Sequence, residues 1–217
     1  MVKAVLTNRP NAAGPVLLYF HDPMCSWCWA FRPVWQRVKS GLPAGVEIEQ
    51  FLGGLAPDST VPMPAEMREK IQGTWRTIER SVPGTRFNFD FWEKCVPRRS
   101  TYPACRAVIA ARRQGADFEE AMIFAIQRAY YLQARNPSND STLIELAEEA
   151  GLDKDLFEAN LRHPDTQVEL LEEIRCTREF GVRGFPTLLL SHGREYSEIP
   201  VNYRDPEPIL AAIAAHL

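Results

Sequence analysis

The chain has 217 residues, enough for one large domain or two small ones whose core needs no metal or disulfide staple. Hydrophobic residues make up 45% and charged residues 24%, a balance that excludes wholesale disorder. A net charge of -3 without a basic stripe argues against a nucleic-acid partner. No apolar run approaches the roughly 18 residues that a membrane helix needs.

Met1 to Arg9 contains no apolar core and no small-residue cleavage site, so the expected location is cytoplasmic. Val16 to Phe20 is a continuous apolar run and predicts a strand buried on both faces. His21 to Met24 follows as a turn. Ser26 to Ser40 predicts a helix stopped by Gly41, with Pro33 as an internal kink. Val46 to Leu52 alternates and predicts a second strand, ended by Gly53-Gly54. Strand, helix, strand suggests a parallel βαβ unit.

Pro57 to Pro64 is a proline-rich connector, and from there to about residue 180 the pattern is helical. Met67, Ile71, Trp75 and Ile78 recur at helical spacing. Asp117 with Glu120 reads as a capping box before a helix from Ala121 to Ala134, and Thr142 with Glu145 as another, closed at Gly151. Pro164 to Phe180 is the last helix of this block. Thr187 to Leu190 returns as a strand. Ser191-His192-Gly193-Arg194 predicts a hairpin turn with Gly193 at positive φ, and Glu195 to Ile199 the antiparallel partner. Asp205 caps a final helix that begins at Pro206. The fold class is α/β, with βαβ, a helical block and ββα in that order. The division is 1–60 with 181–217 for the sheet unit and 61–180 for an inserted helical domain.

Five cysteines, Cys25, Cys28, Cys95, Cys105 and Cys176, are too few for a disulfide scaffold. Cys25-Ser26-Trp27-Cys28 places a C-x-x-C directly after a strand and at a helix start. A thiolate there is favoured by the unpaired N–H groups of the first turn. Spacing of three puts Cys28 one turn along on the same face, where it can attack a mixed disulfide on Cys25. Cys25 is expected at an exposed tip and Cys28 deeper. Half of a zinc site and a pair of inert core cysteines are the competing readings. Gly184-Phe185-Pro186-Thr187 precedes the third strand, and a cis Phe185–Pro186 bond is the sharper reading of it.

This order of elements, with Cys25-Ser26-Trp27-Cys28, Pro33 in the helix and Gly-Phe-Pro-Thr before a hairpin, resembles the thioredoxin superfamily. The large helical insertion resembles its DsbA-like branch. Met24, Trp27 and Trp29 around the motif are similar to a cytosolic, FrnE-like or predicted disulfide-isomerase subgroup. The resemblance implies a thiol–disulfide oxidoreductase or isomerase acting on protein or peptide thiols and disulfides. It implies Cys25 as nucleophile, Cys28 as resolving thiol, Pro186 as the cis-proline beside them, and Phe185 as the residue whose backbone pairs with an extended substrate. The chemistry requires no metal and no cofactor, and glutathione is a candidate reductant. The motif departs from the family's Gly-Pro and Pro-His dipeptides, so no redox potential carries over. A glutathione-dependent transferase or isomerase of the kappa-class or 2-hydroxychromene-2-carboxylate isomerase type is one alternative; a non-catalytic peptide-binding protein is another.

Other residues each carry a plainer reading. Met24 and Trp27 are candidates for an apolar substrate rim. His21 and Asp22 are candidate modulators of the thiols, against a simple turn. Cys105, near the helix start at Thr101-Tyr102-Pro103, is a candidate third thiol against ordinary packing, and pairing with Cys95 is a further reading. Cys176 reads as packing. Glu49 reads as an exposed strand position, and Arg98-Arg99 and Arg112-Arg113 as solvated charge.

Overall fold

The computed structural model describes residues 14–192 and 195–217. Four strands form one sheet in the order β2-β1-β3-β4. Strand β1 (Val16–His21) runs parallel to β2 (Glu47–Leu52) and antiparallel to β3 (Thr187–His192), and β3 pairs antiparallel with β4 (Glu195–Ile199). Helix α1 (Ser26–Gly41) makes the crossover between β1 and β2. Seven helices then intervene before β3: α2 (Ala65–Ser81), α3 (Phe91–Lys94), α4 (Tyr102–Arg112), α5 (Ala116–Leu132), α6 (Asp140–Glu149), α7 (Lys154–Arg162) and α8 (Pro164–Glu179). Helix α9 (Glu207–Ala214) closes the chain.

All six residues of β1 are buried because both sheet faces are covered. Leu17 and Tyr19 pack with Phe31, Trp35 and Ile209 from α1 and α9. Val16, Leu18 and Phe20 pack on the other face with Phe51 and Cys176. Cys176 thus does the packing its sequence position suggested. A third, larger core lies among the helices around Trp75, Tyr131 and Ile109. Trp75 is its centre, with Phe87 stacked at 4.8 Å and Trp92 tilted at 5.0 Å.

Two helix starts differ from expectation. Helix α5 begins at Ala116 on Gly115 and carries no side-chain cap. Glu120 instead turns to α1, where it pairs with Arg32 at 2.6 Å and Lys39 at 3.0 Å. Helix α6 begins at Asp140, so Thr142 lies within it, and Glu145 pairs with Arg135 at 2.9 Å. In both cases the glutamate pairs with a cation and the helix start has no side-chain cap. Gly151 and Gly181 do end their helices, at φ of 84° and 74°. His192 pairs with Glu195, and the expected turn with Gly193 at positive φ lies outside the described residues.

Candidate active site

Strand β1 delivers the chain to a tight turn in which the Cys25 N–H donates to the Asp22 carbonyl at 2.9 Å. Cys25 then occupies the N-cap position of α1 with extended backbone. Its own carbonyl accepts the first helical bond, from Trp29 N–H at 3.0 Å. The N–H groups of the first turn are therefore open beside its side chain. Cys28 is the third helical residue, one turn deeper. Both thiols are free, as are Cys95, Cys105 and Cys176.

Cys25 is not on an exposed tip. It is only 7% exposed and sits in the wall of a cavity of about 240 Å³, while Cys28 is 1% exposed. The helical block contributes the other walls: Ile71, Thr74 and Trp75 of α2 and Tyr130 of α5 line the same cavity. Met24 and Trp27 also line the cavity, but Met24 is buried, so it forms wall rather than exposed rim. Trp27 is half-buried, its ring 5.0 Å from Tyr203.

The Phe185–Pro186 bond is cis. The Cys25 thiol donates to the Phe185 carbonyl at 3.4 Å, which brings the two distant motifs together. The Phe185 ring lies over Gly53, where an added Cβ would stand 1.8 Å from the ring. Any larger residue would push the ring aside, so the Gly53-Gly54 stop of β2 also seats the Phe185 side chain.

Asp22 lies under this site, fully buried. Its carboxylate accepts from Met24 N–H at 2.7 Å, Leu55 N–H at 2.8 Å, Thr101 hydroxyl at 2.7 Å and Cys105 thiol at 3.7 Å. It thereby ties the Cys25 turn to the chain leaving β2 and to the start of α4. Burial raises its pKa and these bonds oppose the rise. Burial likewise pushes the Cys28 thiol well up and the Cys25 sulfur adds to it; a backbone hydrogen bond of Asp22 opposes the rise, and the Asp22 charge makes a smaller upward contribution. Cys105 is raised first by burial and next by the charge of Asp22. His21 is buried and stacked on Tyr19 at 4.8 Å, and its Nε2 has no hydrogen-bond partner. Burial pushes its pKa down to about 3.

Cys95 does not meet Cys105: its thiol donates to the Ala134 carbonyl at 3.1 Å. Glu49 is half-buried rather than exposed. The arginine pairs are not simply solvated. Arg98 donates to the Ser138 carbonyl at 2.5 Å and to Asn139 at 2.7 Å, and both Arg98 and Arg99 line the Cys25 cavity. Arg112 pairs with Glu173 at 2.6 Å and Glu119 at 2.8 Å, and Arg113 pairs with Glu169 at 3.0 Å. Sequence reasoning missed Leu55, Thr101, Trp75 and Tyr130 as site residues. Thr101 alone carried a signal, as the polar residue before the helix that holds Cys105. Among the described residues no helix is long and apolar enough to cross a membrane.

A protein from Nitrosomonas europaea, provisionally named a protein disulfide isomerase, is 27% identical and superposes with a TM-score of 0.80, covering 93% of this chain and 97% of that one. The cytosolic disulfide reductase DsbM from Pseudomonas aeruginosa is 24% identical, with a TM-score of 0.74 over 93% of this chain and 98% of that one. The ClpXP adapter protein SpxH of Bacillus subtilis is 26% identical over 87% of this chain and 64% of its own length. The chain thus spans under two thirds of the curated relatives it matches. The thioredoxin family model matches residues 18–209, and the chain belongs to that family.

Proposed function

We propose that the chain is a thiol–disulfide oxidoreductase that works through Cys25 and Cys28. The observation that carries this is the placement of the Cys25 sulfur: N-cap of α1, wall of a cavity, 3.4 Å from the Phe185 carbonyl, with Cys28 one turn behind. The Cys25 thiolate attacks one sulfur of a substrate disulfide. The S–S bond breaks, and the departing sulfur leaves as a thiolate and takes up a proton. Cys28 then loses its proton and attacks the Cys25 sulfur, which releases the second substrate thiol. The substrate gains two electrons and the enzyme becomes the Cys25–Cys28 disulfide.

Phe185 offers backbone to an extended substrate segment beside Pro186. Met24 and Trp27 supply apolar contact, and the high pKa of Cys28 keeps it protonated until the mixed disulfide forms. Substrates are protein or peptide disulfides. No metal or organic cofactor enters the chemistry, and glutathione serves as the reductant that returns the pair to dithiols. A cytoplasmic setting favours reduction or isomerisation over net oxidation. DsbM, named a cytosolic disulfide reductase and described with GSH, supports this direction.

The direct test is trapping. Cys28→Ser incubated with a disulfide-bonded peptide should accumulate a mixed disulfide on Cys25, seen by mass spectrometry, and wild type should release reduced peptide. A Cys28→Ser variant that never captures the peptide would refute the role of Cys25. The relatives named adapters favour a second reading, a binding protein. That reading requires partner binding indifferent to Cys25→Ser.

A further inference from the structure

A second cavity, of about 630 Å³, shares no lining residue with the Cys25 cavity. Its apolar walls include Trp29 and Pro33 of α1, Phe124 of α5 and Tyr203 before α9. Phe124 is 39% exposed, so its ring is open to a ligand. The volume is in the range of small-ligand sites, which combine apolar walls with a few convergent polar groups.

The charged lining is of one sign. Arg32, Arg37 and Arg204 line the cavity and no Asp or Glu does, although the chain as a whole carries 28 acidic against 25 basic residues. Arg32 is neutralised by Glu120 at 2.6 Å, and its guanidinium stands 4.5 Å from the Phe124 ring centre. Arg204 commits one nitrogen to the Ser81 carbonyl at 2.9 Å. Arg37 is exposed and makes no ion pair within the described structure. Two guanidiniums therefore keep donors for a ligand beside flat apolar surface.

We propose that this cavity binds a small organic anion with a planar apolar body, such as an aromatic carboxylate or sulfonate. Its acid group is held by Arg37 and Arg204, and its ring lies against Phe124 and Trp29. This site is independent of the thiol chemistry.

The test uses anilinonaphthalene sulfonate as the probe and uncharged phenylnaphthylamine as its neutral counterpart. Both are titrated by fluorescence into the full chain with Cys25 alkylated, so that the first cavity is blocked. The sulfonate should bind saturably at one site. Arg37→Gln with Arg204→Gln should weaken it about tenfold or more and leave the neutral compound within about twofold. Phe124→Ala should weaken both. Because Arg204 also holds the Ser81 carbonyl, Arg37→Gln alone provides the same reading on an exposed side chain. Non-saturating binding, or sulfonate binding unchanged in the arginine variants, would overturn the proposal.

Discussion

Asp22 is fully buried and the Glu173 side chain is only 11% exposed, and the two carboxylates are held in opposite ways. Glu173 of α8 accepts from Leu52 N–H at 2.6 Å and pairs with Arg112 at 2.6 Å. It clamps the end of β2 to the helical block, and Arg112, which it shares with Glu119, offsets part of its charge. Burial raises its pKa and Arg112 opposes the rise. Asp22 has hydrogen bonds of the same quality, but every donor is neutral: two N–H groups, a hydroxyl and a thiol. Its charge is solvated by the fold but not cancelled. The charge acts mainly on Cys105, second only to burial, and as a smaller contribution on Cys28. A buried acid with a cation is a staple; one without is both a staple and an electrostatic lever on its neighbours.

The comparison breaks most visibly at Arg112. Arg112→Met puts Glu173 in the position of a buried charge with no cation. Removing one partner of such a pair costs ~3–5 kcal/mol, which a urea midpoint at neutral pH will read. Adding Glu173→Leu should restore part of the loss, the rest belonging to Glu119, with which Arg112 also pairs; a double variant no more stable than the single would contradict the staple reading.

Asp22→Asn is the matching change on the other side. The amide keeps one acceptor oxygen, so at least one N–H or hydroxyl donor loses its partner, at up to ~3 kcal/mol. The same substitution removes the charge that raises the thiols. The pH midpoint for resolution of the Cys25 mixed disulfide by Cys28 should shift downward, measured by stopped-flow release of the reduced peptide. A variant that is merely less stable, with that midpoint unmoved, would leave Asp22 a staple only.

His21 sharpens the comparison from the basic side. Its pKa falls from an ordinary 6.5 to about 3 on burial. Below about pH 6.5 the unfolded chain takes up a proton that the native chain refuses, so stability is lost as pH falls, by ~1.4 kcal/mol per unit. At pH 5 this amounts to ~2 kcal/mol. His21→Phe keeps the stacking on Tyr19 and should flatten the decline between pH 7 and 5 by that amount. An unchanged slope would mean that His21 accepts its proton in the fold. The smallest expected effect is Cys105→Ala, which loses one long bond to Asp22 and should cost ~1 kcal/mol while peptide reduction is retained. Loss of reduction with the fold intact would make Cys105 a working thiol.

Much of this was legible in the chain because it rests on local signals. The unbroken run Val16 to Phe20 gave a strand covered on both faces and the C-x-x-C gave the start of α1, while the phenylalanine–proline pair before β3 marked the place of the cis bond without fixing its isomer. What was not legible depends on partners far along the chain. Asp22 and Thr101 are 79 positions apart, and nothing local marks them as neighbours. Asp117 with Glu120 has the spacing of a cap, but tertiary cations claimed Glu120. Cys25 seemed an exposed tip because a strand–helix turn usually is one. The helices packed over it are what make it a cavity wall.

The central claim is that Cys25 and Cys28 form a reversible two-electron couple. The most direct test is to equilibrate the protein in graded glutathione buffers, quench with acid and weigh it, with Trp27 and Trp29 fluorescence as a second readout. One reversible transition with loss of two hydrogens, absent in Cys28→Ser, is the predicted result. A potential near about −270 mV would make it a reductase and one near about −120 mV a disulfide donor or isomerase. If no Cys25–Cys28 disulfide forms at any ratio, the oxidoreductase account is wrong.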